Sequence, residues 1–137
     1  MRLKMLTLIF LGILIFSFSC GKEKTLTQPE ETLLYGRWNW VESVGGFAGL
    51  RLTPETEGYS QTLVFEYPNR FKLFRNNQLK SSGQYKIRIK DSLKEIHYID
   101  GENAPFISDQ WIRFNGADTL ILIDQCDDCY THTFVRD

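Results

Sequence analysis

Along most of the chain after residue 35, apolar and polar positions alternate with a period of two. The clearest run sets Tyr85, Ile87 and Ile89 against Lys86, Arg88 and Lys90, which in a strand gives one buried face and one wet face. No window of a dozen residues after Leu34 repeats its apolar positions at three and four, so helix is confined to one short turn in TPETEGYS, residues 53–60. Eight segments rich in β-branched and aromatic residues are bounded by Gly, Pro, Asn and Asp: 36–44, 61–67, 70–76, 83–90, 94–100, 106–114, 118–125 and 130–136. The short links at Pro68/Asn69, Asn76/Asn77 and Asn115/Gly116 suit hairpins between sequence neighbours. Eight antiparallel strands in sequence order leave two open edges unless the sheet closes. The expected fold is therefore all-β: a small eight-stranded antiparallel up-and-down barrel, whose interior either fills with side chains or holds one small ligand.

The N-terminal residues follow a different pattern. MRLKMLTLIFLGILIFSFSC has Arg2 and Lys4 at its front, an apolar run from Met5 to Phe18, and small Ser19 just before Cys20. These are the parts of a secretory signal, and the run is short for a span of about 20 apolar residues. A small residue followed at once by Cys resembles the lipobox of bacterial lipoproteins, although Ser17 stands where that pattern favours Leu. The resemblance implies that residues 1–19 are removed and that Cys20 carries the lipid. The acyl chains, at about 0.8 kcal/mol per buried methylene, then anchor the protein without a membrane span. GKEKTLTQPEE, residues 21–31, is polar and lacks aromatic residues, so residues 20–32 are expected to form a lipidated Cys and flexible tether ahead of a domain at 33–137. The implied address is exported and lipid-anchored in the bacterial cell envelope, with the outer membrane favoured over the inner.

Charge narrows the partners. The chain has 16 Lys and Arg against 17 Asp and Glu; without Arg2 and Lys4 the basic count is 14 and the balance −3. The basic residues are scattered along strands rather than massed, which argues against nucleic acid and leaves the lipid anchor as the only expected membrane contact.

LLYGRWNWVESVGGFAG, with Gly36-x-Trp38 at the head of the first strand and a Gly-rich loop at 45–49, resembles the opening of a lipocalin-like domain. Such domains often end on an Arg that lies across the first-strand Trp and closes the barrel floor. The resemblance thus pairs Trp38 with Arg136, a cation–π contact worth about 0.5–2 kcal/mol depending on desolvation. It also implies a pocket for a small hydrophobic ligand. Aromatic residues make up 14% of the chain, and alternation nominates Trp40, Phe47, Phe65, Phe71, Tyr85, Tyr98 and Trp111 as its lining. In a domain this small the same rings could instead fill the core. The alternative function is then a protein- or glycan-interaction module, with an envelope protein as partner, working through loops at 45–60 and 101–109.

Candidate chemistry is sparse. Cys126 and Cys129 could form a redox pair, a metal site with His132 and His97, or a disulfide. No helix N-terminus follows the first Cys, and Asp124, Asp127 and Asp128 disfavour thiolate. His97 is isolated in sequence from the other ligands. An oxidising compartment then favours a disulfide across the turn before the last strand. SVGGFAGL lacks the Gly-Lys-Ser/Thr ending of a phosphate loop. Glu66 and Glu95 read as solvated strand positions, and His97 and His132 as ordinary polar strand residues. No catalytic constellation, cofactor site or metal site is expected, and the reading is of a binding protein rather than an enzyme.

Overall fold

A computed structural model describes residues 29–99 and 108–137. The leader at 1–19, the lipidation candidate Cys20, most of the tether and the loop residues 100–107 lie outside the described residues. The fold is all-β. Among the described residues nine strands form one antiparallel sheet in which β1 (Gly36–Gly45) pairs with both β3 (Gln61–Glu66) and β9 (Tyr130–Arg136). From β3 the order runs through β4 (Arg70–Arg75), β5 (Gln78–Lys90), β6 (Leu93–Ile99), β7 (Gln110–Asn115) and β8 (Thr119–Asp124) to β9, so eight strands close into a barrel. The ninth, β2 (Leu50–Leu52), pairs with the far end of β1, continuing the side that β3 occupies lower down. This three-residue strand falls where the sequence suggested only loop. The turn at Gly46 to Gly49, both at positive φ, folds the chain straight back onto β1.

Two turns carry their own instructions. Asn76 and Asn77 have φ of 48° and 61°, and Asp91 and Ser92 have 52° and 66°, the doubly left-handed backbone whose twist matches a two-residue hairpin. The turn in 53–60 is realised as α2 (Pro54–Glu57), where Thr53 and Thr56 exchange capping hydrogen bonds and Gly58 ends the helix at φ 71°.

Helix also appears in part of the polar stretch read as tether. Residues 29–34 form α1 (Pro29–Leu34), held from outside rather than by composition. Leu34 is 1% exposed at one end of the barrel, and its carbonyl accepts the Trp38 indole N–H at 2.8 Å. Arg136 donates to the carbonyls of Leu33 (2.6 Å) and Tyr35 (2.9 Å), supplying partners to a helix end that would otherwise lack them.

The core is one cluster around Trp38, Leu63, Phe65, Phe71, Tyr85, Ile96, Leu120 and Phe134. The alternation in β5 holds only part of the way. Tyr85 is buried, Ile87 is half-buried and Ile89 is exposed at 57%. Pairing with β4 stops at Gln84, so the end of β5 runs on beside β6 alone and Ile89 meets no opposite wall. On the outer face, Glu95 is 1% exposed rather than solvated. Arg88 donates to it through Nε (2.9 Å) and Nη2, and Gln125 through Nε2. The Gln125 bond, with the Arg88 guanidinium, overcomes burial and holds the Glu95 carboxyl below its ordinary value.

Candidate functional site

Each strand that reaches the end opposite α1 keeps its inward phase but changes its chemistry there. In β3 the inward residues are Phe65, Leu63, then Gln61; in β4 Phe71, Leu73, then Arg75. In β8 they are Leu120, Leu122, then Asp124, and in β9 Phe134, His132, then Tyr130. The barrel is therefore apolar and filled at the α1 end and polar at the other. A cavity of about 290 Å³ opens between the two zones. Leu63, Leu73, Leu122 and Phe134 form its base, and Gln61, Arg75, Lys80, Gln110, Asp124 and His132 its upper wall.

Two bulges tune that wall. Between Trp40 and Glu42 the pairing of β1 with β9 slips by one residue at Val41. Strict alternation from Trp38 and Trp40 would turn Glu42 inward; the bulge sends it outward, where Arg51 Nε lies 2.6 Å from its carboxylate, and brings Ser43 into the lumen opposite His132. The second slip, between Leu73 and Phe74 on β4, leaves Lys80 as the extra residue of β5, and Lys80 borders the cavity rim.

Inside the mouth, two chains of hydrogen bonds converge on Asp124. Along one, the Trp40 indole N–H donates to Ser43 Oγ (2.9 Å), the Ser43 hydroxyl meets His132 Nδ1 (2.6 Å), and His132 Nε2 donates to Asp124 Oδ2 (3.1 Å). Along the other, the Tyr98 hydroxyl donates to Gln110 Oε1 (3.1 Å) and Gln110 Nε2 to Asp124 Oδ1 (2.7 Å). With the imidazole proton on Nε2, every donor points towards the carboxylate. Burial pushes the Asp124 carboxyl up, but the bonds from His132 and Gln110, with the backbone N–H of Tyr130, outweigh it and hold the group below its ordinary value. Burial, reinforced by Asp124 and Asp109, drives the Tyr98 phenol well above its ordinary range, so it stays a donor. A Ser, a His and an Asp in series invite a nucleophilic reading. Ser43 is 4% exposed, and its oxygen accepts the indole proton.

Above this network Arg75 lies with its guanidinium 4.2 Å from the Tyr59 ring, and Tyr59 stacks on Trp40 at 5.6 Å and 18°. Arg75 Nε is buried without a hydrogen-bond partner.

The aromatic candidates separate into groups. Trp40 and Tyr98 lie in the cavity wall. Phe65, Phe71 and Tyr85 point inward but pack beneath the cavity, with Phe65 on Tyr85 at 5.1 Å and Phe71 on Tyr98 at 5.0 Å. Phe47 does not line a pocket: it sits on the Gly-rich turn beyond β1, 96% exposed. Trp111 is also misplaced by simple alternation. It pairs with Glu95 and Ile123 on the outer face, with Lys90 Nζ 5.6 Å from its ring, because Gln110 holds the inward position. At the other end, Arg136 lies 4.2 Å from the Trp38 ring.

Cys126 and Cys129 are joined as a disulfide in the turn between β8 and β9. That turn rests against Gly45, where an added Cβ would come within 2.8 Å of Tyr130 Cα. The two histidines considered with these sulfurs are engaged elsewhere, His132 with Ser43 and Asp124 and His97 with Asp109 at 2.9 Å. Among the described residues no three His, Cys, Asp or Glu side chains gather as a metal site.

Comparison with protein families, with curated proteins and with solved structures finds no match. The barrel and its mouth must speak for themselves. The residues missed from sequence were Ser43, Arg75, Gln110 and Asp124. Three of them were within reach: Arg75, Gln110 and Asp124 each continue the inward phase of their strands, and polar residues at the same end of successive strands mark a lumen. Ser43 was hidden by the bulge.

Proposed function

We propose that this protein is a lipid-anchored binding protein of the bacterial cell envelope that holds a small amphipathic molecule in the open end of its barrel. The observation that carries the reading is the cavity of about 290 Å³, with an apolar base and an upper wall of fixed polar groups. That combination suits a ligand with one apolar and one polar end. Binding rather than turnover is favoured because the polar groups around Asp124 satisfy one another. Mass spectrometry of small molecules that co-purify with the protein, with titration of a hydrophobic fluorescent probe, tests the reading. Uptake with a change in tryptophan emission is expected, since Trp40 is in the wall; no bound molecule and no uptake would end it. The anchor has its own test: replacing Cys20 with Ser should abolish labelling by a palmitate analogue and move the protein from the membrane to the soluble fraction.

A second reading, a loop-mediated interaction with an envelope protein or glycan, is favoured by one feature. Phe47 on the turn and Leu50 at the start of β2 are 96% and 53% exposed. Crosslinking in intact cells, compared between the parent and Phe47→Ser, separates this from a pocket function.

A further inference from the structure

We infer that the ligand of this cavity is an organic anion, a carboxylate of about ten non-hydrogen atoms, and that Arg75 is the residue that receives its charged group. This rests on the binding reading above and names the chemical class. The argument starts from the arginines. Arg37, Arg51 and Arg88 each pair with a carboxylate, and Arg136 donates to three backbone carbonyls. Arg70 and Arg113 are exposed to water. Among the described residues Arg75 is the one arginine that is half-buried and has neither a carboxylate nor a carbonyl to accept its protons. The Tyr59 ring supports one face of the guanidinium and supplies no in-plane acceptor.

The charge within the mouth agrees. Among the described residues its one carboxylate, Asp124, has both oxygens engaged by Gln110 and His132. Lys80 at the rim donates only to Gln78 Oε1, at 3.2 Å. Among the described residues two cations thus border the cavity without an anion of their own. A guanidinium fork recognises a planar carboxylate with two parallel bonds, which makes that class the natural complement. The size follows from volume: at about 30 Å³ per water-sized group, the cavity holds about ten such groups. The apolar part would lie on Leu63, Leu73, Leu122 and Phe134.

Octanoate, octan-1-ol and octylamine share a chain and differ in charge, so titrating each into the purified protein by calorimetry and tryptophan fluorescence decides the point. Octanoate should bind at least about tenfold more tightly than octan-1-ol, the factor expected for one charge-assisted pair, and octylamine most weakly. The preference should weaken with added salt and vanish in Arg75→Met. It should survive in Arg113→Met, which removes the same charge from the outer surface. Equal binding of the alcohol, or preference for the amine, overturns the anion inference while leaving the cavity as a binding site. No binding of any of the three, with no displacement of a hydrophobic probe, removes the binding reading itself. The three-ligand comparison uses the unaltered protein, so it stands even if Arg75→Met misfolds.

Discussion

Two half-buried arginines stand at opposite ends of this barrel, each with its guanidinium 4.2 Å from an aromatic ring. Arg136, at the α1 end, lies on Trp38 and donates to the carbonyls of Leu33, Tyr35 and Ala117. Arg75, at the open end, lies on Tyr59 with its Nε unpartnered. The ring contact is alike and the remaining chemistry is opposite. The Arg136 nitrogens close on the protein's own backbone, whereas Arg75 Nε is held in place without an acceptor. An end that satisfies its polar groups internally is built for stability. The unpartnered Arg75 Nε at the other end is what the proposed ligand would meet.

The contrast can be broken most severely at the tryptophans. Trp38, fully buried, should cost about 3–5 kcal/mol on replacement by Ala in denaturant unfolding. Trp40→Ala should cost clearly less, because its ring already borders open volume and water can enter the space it leaves. Equal losses would mean that the two ends are packed alike. Next comes Arg136→Met, expected to destabilise by about 2–3 kcal/mol by orphaning carbonyls and the Trp38 face. Gly36 belongs to the same device, since a Cβ there would lie 2.8 Å from Arg136 Nη1.

A smaller and pH-dependent effect is expected at the mouth. The Asp124 carboxyl is depressed in the folded protein, so its contribution is fully present above the unfolded-chain value of about 3.9 and is lost as pH falls through the folded value. Asp124→Asn should therefore destabilise by about 1–2 kcal/mol at neutral pH. The gap to the parent protein should close progressively below about pH 4. A gap that persists undiminished in acid would show that shape, not charge, is what Asp124 supplies. The smallest change is expected for Arg75→Met, within about 0.5 kcal/mol in the unliganded protein. A loss as large as that of Arg136→Met would erase the distinction between the ends.

The closed end was the more legible of the two from sequence. A period-two pattern with turn residues at its breaks sufficed for strands and hairpins, and sheet closure followed from having no tolerable edge. Gly36-x-Trp38 and Arg136 marked residues that do meet. The open end was harder because its design departs from strict alternation. The slip at Val41 exchanges the directions of Glu42 and Ser43, and that of β5 leaves Lys80 unpaired. Neither leaves a mark in composition. Trp111 was nominated from alternation, but the phase of β7, shared by Ile112 and Phe114, gives the inward position to Gln110. A rule that ranks residues by apolarity will overlook a lumen that turns polar within one strand. Helix α1 was missed for a related reason, since it is stabilised by what it docks against rather than by its own residues.

The placement of α1 also makes the two poles of the barrel unlike. The chain passes from α1 into β1 at one pole, and the cavity opens at the other. The proposed anchor, attached through residues before Pro29, would join the domain at the pole away from the opening.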